Sequence, residues 1–236
     1  MNEIILNNLK FVIIGKKDIY FQKIINFFKK KKVKFCYKYI DKSSQKKILF
    51  NFLKKKNFEY LISYRNPLIL DNRILNIAKK QNINFHPSPP RYRGVGGYNL
   101  AILNSDKEFG ITAHIISKKI DDGLIIDLKT FKIMKNINLD QLISKTRKLQ
   151  YFQLVKLLDY LLFKDLDLED IKKRNRLKKY KWSKKIFYLK DLDKLYKIDI
   201  KKIKGISLKK IIKSTLSKNF KPEILLDKYR FVLKDN

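Results

Sequence analysis

Short apolar runs alternate with longer amphipathic stretches along residues 10–86, and this alternation restricts the fold more than any other feature. The runs KFVIIG at 10–15, YLISY at 60–64 and INFH at 83–86, with alternating aromatic residues over 32–40, each predict a strand. Helix starts are indicated between them by Asp18, by Ser43 or Ser44 and by Asp71. The helix after Asp71 is predicted to reach about Lys80, and the helix after Asp18 carries one apolar stripe, formed by Ile19, Ile24, Phe27 and Phe28. Strands separated by helices form parallel crossovers. The sequence therefore predicts an α/β protein with a mostly parallel, doubly wound sheet that has helices on both faces.

The second half of the chain predicts the end of this domain and a smaller unit after it. The main domain, which we place at residues 1–165, is completed by a helix after Gly96-Gly97, by strands over 109–117 and 123–133, and by a long helix from Asn138 to about Phe163. Asn138 and Gln141 form a capping-box pattern at the start of that helix. The C-terminal α+β extension, residues 166–236, begins with a charged connector that runs to about residue 180. The extension ends in a predicted β-hairpin whose edges suit pairing with a second subunit, so we expect a homodimer.

The composition limits the classes of partner. The formal net charge is +34, but only eight of the 56 basic residues are arginine. Lysine accumulates together with Ile, Asn, Phe and Tyr, so the charge has two interpretations: a solvated surface that reflects codon composition, or a field that attracts anions. The single cysteine, Cys36, excludes an intramolecular disulfide and favours a reducing cytoplasm, and no metal site is readable. No apolar run reaches the length of a membrane span, so we expect no membrane association.

Three polar residues form a candidate catalytic group. Asn84 and His86 lie two positions apart on a predicted strand, so their side chains emerge on the same face, and Pro87 ends that strand. Asp121 lies in the loop between the two later strands. Asn84 could donate to an oxyanion, His86 could take a proton from an amine, and a carboxylate beside His86 would orient the imidazole. These residues predict acyl transfer without a nucleophilic serine or cysteine.

Four motifs in order resemble the 10-formyltetrahydrofolate-dependent formyltransferase family: Asn84-Phe85-His86-Pro87, Tyr92-Arg93-Gly94, residues 110–114 (GITAH) and residues 120–126 (IDDGLII). The resemblance covers roughly residues 10–165. It implies a Rossmann-like formyltransferase fold and transfer of a formyl group from 10-formyltetrahydrofolate, the co-substrate, to a primary amine. The family's Asn, His and Asp triad then corresponds to Asn84, His86 and Asp121. On the folate side, the resemblance points to Ser63, Tyr64, Ile69 and Leu70. Asp122 is a further candidate there, although relatives often carry a small or variable residue at this position and the favoured interpretation is a solvated loop acid. His114 is interpreted as structural.

The form of these motifs suggests which amine accepts the formyl group. HPSPPRYRG at 86–94 and the tail around 211–231 look like the compact N-formyltransferases that modify nucleotide-linked 4-amino-4,6-dideoxy sugars, whose products feed surface polysaccharides such as lipopolysaccharide. Glycinamide ribonucleotide is disfavoured because the turn after the first strand, residues 15–18, reads GKKD rather than a Gly/Ser-rich phosphate loop. Residues 65–66 and the lysines of the tail depart from the pattern of the relatives. The alternatives are a methionyl-tRNA formyltransferase-like enzyme, which would use the positive surface, and a folate- or nucleotide-binding module that has lost catalysis.

A sugar nucleotide carries a pyrophosphate that needs cations or backbone N–H groups. The candidates for this role are Lys16, Arg93 and the start of the helix at Gly96 and Gly97. Arg93 has an equal alternative as a structural arginine that anchors the turn. Tyr180 and Trp182, in the extension, would either stack on a base or fill a hydrophobic plug.

Overall fold

The computed structural model describes residues 8–173, 177, 179–203, 207–218 and 220–233, and it is organised around one six-stranded sheet. The strands of the described chain are β1 (Leu9–Gly15), β2 (Phe35–Tyr39), β3 (Phe58–Tyr64), β4 (Gln81–His86), β5 (Arg93–Gly94), β6 (Glu108–Ile115), β7 (Ile125–Lys132), β8 (Ile186–Phe187), β9 (Lys197–Asp199), β10 (Glu223–Leu226) and β11 (Tyr229–Val232). The helices are α1 (Ile19–Lys30), α2 (Lys46–Leu53), α3 (Asn72–Leu75), α4 (Gly97–Leu103), α5 (Leu139–Phe163), α6 (Leu168–Lys173), α7 (Leu189–Tyr196) and α8 (Leu208–Thr215), with 3₁₀ turns at Ser43–Gln45 and Ile200–Lys202.

The sheet has the order β2-β1-β3-β4-β6-β7. Its first four strands are parallel, whereas β6 and β7 are antiparallel to their neighbours. Helices α1 and α5 cover one face with a core that includes Phe21 and Leu158, and α2 and α3 cover the other with Leu49 and Ile74. The predicted α/β class, the mostly parallel sheet and the helices on both faces are therefore confirmed.

Local sequence signals set the ends of the best-predicted helices. Asp18 caps α1 by accepting a hydrogen bond from the Phe21 N–H at 2.7 Å. Asn138 and Gln141 form the predicted capping box of α5, with reciprocal bonds of 2.9 and 3.0 Å. Ser207 lies at the start of α8 but makes no capping hydrogen bond with its side chain.

The helix after Asp71 is much shorter than the sequence predicts. Asp71 does cap α3, but α3 ends at Leu75 rather than near Lys80. The backbone N–H groups of Lys79 and Lys80 bond instead to carbonyls at the start of β3, and Asn82 Nδ2 donates to the Leu75 carbonyl. These bonds draw the chain onto the sheet after a single helical turn.

The segment that the sequence predicts to be a connector contains a helix and buried side chains. Helix α6 lies within it, and Ile171 and Leu177 are buried in the same core as α1 and α5, while residues 174–176 and 178 lie outside the described residues. The predicted hairpin forms as β10 and β11, and β9 joins it to make a three-stranded sheet in the order β11-β10-β9. No helix among the described residues combines the length and apolar character that crossing a membrane requires.

Candidate active site

The carboxyl end of β4 brings Asn84 and His86 to the edge of the core. In the sheet Asn84 pairs with Ser63 of β3 on one side and with His114 of β6 on the other. Pro87 lacks the N–H that would continue the ladder, so the chain leaves the sheet directly after His86. His86 is 3 % exposed, which places its imidazole in a medium of low polarity.

Asp121 reaches this strand end from the loop between β6 and β7. Its backbone φ is +40°, in the left-handed region, and the Gly94 N–H donates to Oδ2 at 2.9 Å. Gly123 follows two residues later, and any Cβ there would lie 1.8 Å from the Ile115 carbonyl oxygen. Only glycine permits this close return of the loop. The predicted convergence of Asn84, His86 and Asp121 is thus present in the structure.

His86 has one partner at each ring nitrogen. Nε2 lies 2.8 Å from the Tyr92 carbonyl oxygen, and Nδ1 lies 3.3 Å from Asp121 Oδ2. A carbonyl only accepts, so Nε2 carries the proton and Nδ1 is the basic nitrogen of the neutral ring. Burial lowers the pKa of His86, although the Asp121 charge and the Tyr92 carbonyl act in the opposite direction. The ring is therefore held neutral, as a general base requires.

The Asp121 carboxylate is shared by two imidazoles. Oδ1 lies 3.3 Å from His114 Nε2, and Asn84 Nδ2 lies 3.1 Å from the same nitrogen and 3.5 Å from Oδ1. Burial acts to raise the pKa of Asp121, but the interaction with His86 when that ring is protonated, the contact with His114 and the Gly94 N–H together hold that pKa well below its usual range. Asp121 is therefore ionised and faces both rings.

His114 joins this cluster, although its sequence indicated only a residue on an apolar strand. It is 2 % exposed, and its Nδ1 lies 2.9 Å from the Ile115 carbonyl oxygen. The signal that could have identified it is the antiparallel register of β4 and β6, which pairs Asn84 with His114. Single-sequence reasoning does not supply a register between strands so far apart.

The extension contributes a segment, residues 182–187, that crosses the site; we refer to it as the strap. The Trp182 ring lies edge-on to His114 and His86, with centroid distances of 5.0 and 5.9 Å. Its Nε1–H donates to the Gly123 carbonyl at 2.7 Å. The Ser183 N–H donates to the Pro90 carbonyl at 3.0 Å, so the strap is bonded to both loops that carry the site. Of the two sequence interpretations of Trp182, the structure favours the hydrophobic plug.

Arg93 connects the strap to the loop that carries Asp121. Its guanidinium donates to the Ile120 carbonyl at 2.6 and 3.1 Å and to the Ser183 carbonyl at 2.8 Å, and it lies 3.2 Å from Asp122 Oδ1. With its side chain 7 % exposed, Arg93 has the anchoring role that the sequence left open. The same contact gives Asp122 a protein partner.

The other candidate binding residues surround the strand ends. Ser63 and Tyr64 are buried at the carboxyl end of β3, and the hydroxyl of Tyr64 is buried without a hydrogen-bond partner. Leu70 is buried in the loop that follows, whereas Ile69 is 61 % exposed. The carboxyl end of β3 and the loop after it thus combine a buried, unpartnered hydroxyl with an exposed apolar side chain.

The acceptor-side candidates differ from one another. Lys16 is exposed just after β1. Gly96 has φ +79° and faces Leu192 of α7, and a Cβ on Gly97 would lie 2.0 Å from Ser88 Oγ. The positive φ thus accounts for Gly96, and close packing accounts for Gly97. Among the residues that the structure describes, no group of three or more His, Cys, Asp or Glu is placed to hold a metal ion.

An α/β sheet thus brings an amide, an imidazole and a carboxylate together at its strand ends, a combination that suits acyl transfer. Residues 9–158 match the formyl transferase family, which is more than half of the chain, and the chain therefore belongs to that family. The recognition made from the four sequence motifs is confirmed.

Comparison with curated proteins gives short matches. The chain is 34% identical over 84 residues to methionyl-tRNA formyltransferase from Mycoplasmopsis pulmonis, a match that covers 35% of this chain and 29% of the relative. The matched part thus spans about a third of that relative's length.

Solved structures match over nearly the whole chain. A sugar N-formyltransferase from a Shewanella species superposes with a TM-score of 0.72 at 18% identity, covering 95% of this chain and 96% of that one. The N-formyltransferase from Helicobacter canadensis, in complex with folinic acid and dTDP-3-aminofucose, gives a TM-score of 0.67 at 19% identity and covers 93% and 85%. At these identities the likeness establishes the fold, which now includes the extension.

Proposed function

We propose that this protein is an N-formyltransferase that moves a formyl group from 10-formyltetrahydrofolate to the primary amine of a nucleotide-linked 4-amino-4,6-dideoxy sugar. The observation that carries this proposal is the convergence of Asn84, His86 and Asp121 in a chain of the formyl transferase family. Structural likeness to sugar N-formyltransferases over 95% of the chain supports the choice of acceptor.

In this proposal each of the three residues has its own role. The folate supplies the formyl carbon, to which the amine nitrogen adds. Asn84 Nδ2 donates to the oxyanion that forms, in place of its long 3.5 Å contact with Asp121. His86 Nδ1 takes the proton that the amine loses, because Nε2–H remains on the Tyr92 carbonyl. Asp121 stabilises the resulting imidazolium at 3.3 Å. The same proton then passes to the leaving folate nitrogen as its bond to the formyl carbon breaks.

The folate side of this proposal comprises Ser63, Tyr64, Ile69, Leu70 and Asp122. Ser63 is in register with Asn84, so a ligand edge bound along the end of β3 would bring its formyl group to Asn84. The unpartnered Tyr64 hydroxyl supplies a donor and an acceptor there.

The acceptor side begins with Lys16 and the turn at 93–97. Lys16 supplies an exposed cation at the carboxyl end of β1, where ligands of open α/β sheets bind. Arg93 acts indirectly, by fixing the turn and the Asp121 loop together. We also propose a cytoplasmic location, a homodimer and a place in the synthesis of surface polysaccharides, in line with a nucleotide-sugar substrate.

The test is a formyl-transfer assay with 10-formyltetrahydrofolate and dTDP-, UDP- and GDP-linked amino sugars. Asp121→Asn should lower kcat by about 10³- to 10⁴-fold, and Asn84→Ala by about 10²- to 10³-fold. The exposed residues Asp41 and Asn51 provide matched controls, since Asp41→Asn and Asn51→Ala should leave the rate unchanged. Near-normal transfer by both Asn84→Ala and His86→Ala would refute the mechanism.

A second acceptor deserves an arm of the same assay because of the net charge of +34 and the match to a methionyl-tRNA formyltransferase. Formylation of initiator methionyl-tRNA, with binding that weakens steeply as salt rises, would favour that acceptor over a sugar. Absence of transfer in a single turnover with either acceptor would identify a non-catalytic folate- or nucleotide-binding module.

A further inference from the structure

The two ring nitrogens of His114 face two different kinds of group. Nδ1 lies 2.9 Å from the Ile115 carbonyl oxygen, and Nε2 lies 3.1 Å from Asn84 Nδ2. A carbonyl oxygen only accepts, so Nδ1 carries the proton of the neutral ring and Nε2 is left as an acceptor. Asn84 Nδ2 therefore donates one of its two N–H bonds to His114. This tautomer is the opposite of that in His86, whose proton is on Nε2.

The Asp121 carboxylate lies close to the same nitrogen of His114 without changing this assignment. Asp121 Oδ1 is 3.3 Å from His114 Nε2, just beyond the range of about 2.7–3.2 Å that N–H···O bonds cover, and the Asn84 contact is shorter. A proton on Nε2 would give Asp121 a donor, but it would also set a second donor against the Nδ2 group of Asn84. The neutral ring and the observed direction of this amide thus require each other.

The direction of the Asn84 amide decides whether this residue stabilises an oxyanion. The nitrogen and oxygen ends of an amide have nearly the same shape, so hydrogen-bond partners rather than packing select between them. One N–H of Nδ2 is bound to His114, and the second N–H makes the long 3.5 Å contact with Asp121 Oδ1, which an oxyanion can replace. A turned amide would instead place its own oxygen against the developing negative charge.

The acceptor nitrogen of His114 is held in place from several sides. His114 of β6 is in register with Asn84 of β4, so the two side chains start from neighbouring strands. The His114 side chain is 2 % exposed, and the Trp182 ring lies edge-on to it with a centroid distance of 5.0 Å. The contact of Nδ1 with the Ile115 carbonyl sets the rotation of the ring. The imidazole thus offers Asn84 an acceptor that does not move with the amide.

We infer that His114, in its Nδ1–H tautomer, is a positioning residue that holds the Asn84 amide with its nitrogen toward the oxyanion. This inference rests on the proposed function, since the oxyanion belongs to formyl transfer, but it applies to any amine acceptor. His114 acts through Asn84 rather than on the reacting atoms. Its replacement should therefore lower the rate only in an enzyme that still has the Asn84 amide.

The test is a double-mutant cycle in the formyl-transfer assay, run with whichever acceptor the enzyme uses. His114→Phe keeps a flat ring without an acceptor nitrogen. It should lower kcat by about 10- to 100-fold, with KM for the folate unchanged, because the amide loses its fixed direction. In an Asn84→Ala background the same replacement should change kcat by less than about two-fold, since no amide is left to direct. His114→Gln places an amide oxygen near the position of Nε2 and should recover most of the loss.

The control for a general loss of packing in β6 is Ile111→Ala. Ile111 is fully buried on the same strand as His114, so its truncation should lower the free energy of unfolding in urea. Its effect on kcat should stay within about two-fold, with and without the Asn84 amide, because the direction of that amide is unchanged. Equal rate losses in Ile111→Ala and His114→Phe would assign the effect to packing and overturn the positioning role.

Imidazole nitrogen NMR of the unmodified chain gives a second measurement that needs no replacement of His114. The chain has only two histidines, so the spectrum contains two rings. At pH 7 one ring should carry its proton on Nδ1 and have a bare Nε2, as we infer for His114, and the other should show the reverse pattern of His86. Two rings of the same tautomer would overturn the inference, as would a doubly protonated His114.

The outcomes separate this inference from the proposed function. Formyl transfer in which His114→Phe lowers kcat equally with and without the Asn84 amide would leave the function standing and overturn the positioning role. A rise in KM at constant kcat would overturn it as well, because the ring would then act on substrate binding. Absence of transfer to every acceptor would remove the function and the inference together.

Discussion

The strap and the terminal hairpin, which is β10 and β11, both belong to the extension beyond the family match at residue 158, yet their surroundings differ. Trp182 of the strap is bonded to Gly123 and packs on two buried imidazoles. On the outer strand of the hairpin, Tyr229 is 58%, Phe231 52% and Val232 56% exposed. The strap therefore packs against the candidate active site, whereas the hairpin presents an exposed apolar edge.

This difference shows that position in the chain is a poor guide to role. A boundary at residue 165 groups the strap with the hairpin, because both follow the last predicted helix of the main domain. Contacts group them otherwise. The strap bonds to the loops at 90–96 and 120–123, whereas in the part of the chain that the structure describes the hairpin pairs with β9. The strap should thus govern catalysis and stability, and the hairpin association.

The largest effect is expected on the free energy of unfolding, when Arg93, the residue that anchors the strap, is replaced. Arg93→Met leaves the Ile120 and Ser183 carbonyls and the Asp122 carboxylate without their buried cation. Unfolding in urea should show a loss of about 3–5 kcal/mol, the usual cost of removing one partner of a buried charge network. The neighbouring Arg91 is the matched control: its side chain is 49% exposed, so Arg91→Met should cost about 1 kcal/mol or less. Equal losses in both variants would contradict the anchoring role.

Trp182 should affect the rate more than the stability of the fold. Trp182→Leu removes the ring from both histidines and should lower kcat about 10- to 100-fold through lost orientation, with little change in KM for the folate. Trp182→Phe keeps a ring but not the bond to Gly123, so its loss should be smaller. Steady-state kinetics measure both. A rise in KM at constant kcat would show instead that the indole binds substrate, the alternative that the sequence left open.

The two histidines of the chain can be titrated separately by imidazole nitrogen NMR, since there are only two. The pKa of His86 should lie below 6.5, and Asp121→Asn should lower it further by removing the charge that opposes burial. Because the unfolded chain protonates His86 at higher pH, this group makes stability fall as pH drops below about 6.5. The rate should fall on the same acid side, as His86 takes up its proton. A doubly protonated His86 ring at pH 7 would contradict the general-base role.

The smallest effect on catalysis is expected at the hairpin. Phe231→Lys places a charge on the exposed face of β11 and should leave kcat within about two-fold, because Phe231 is 52% exposed on the outer strand of a sheet separate from the one that carries Asn84 and His86. If the hairpin pairs two subunits, sedimentation should show a dimer for the unmodified chain and a monomer for the variant. A dimer that survives this change would place the subunit contact elsewhere.

Much of the fold follows from local signals in the sequence. Caps such as Asp18 and Asn138, and the periodic runs of the strands, depend on neighbours within about four residues, and these elements formed as predicted. The length of α3 was not predicted correctly, because its end is set by hydrogen bonds to β3 from residues after the helix. Nor did Ile19 join the buried stripe predicted for α1, since it is 68% exposed.

The candidate site, like the fold, has parts that local sequence signals reveal and parts that only contacts distant in sequence create. Asn84, His86 and Asp121 were found through motifs of contiguous residues. The parts that were missed, His114 against Asp121 and Trp182 against both rings, depend on a β-sheet register and on a crossing by a segment about 60 residues further on. Neither leaves a pattern in the order of the amino acids.

The bond from Trp182 to the Gly123 carbonyl has a practical consequence for anyone who trims or recombines this protein. A fragment cut where the family match stops would expose both imidazoles to bulk water, which would raise the basicity of His86 and loosen Asp121. The shortest piece that retains the chemistry should therefore run through Phe187, and chimaeras that exchange tails should exchange them after that point.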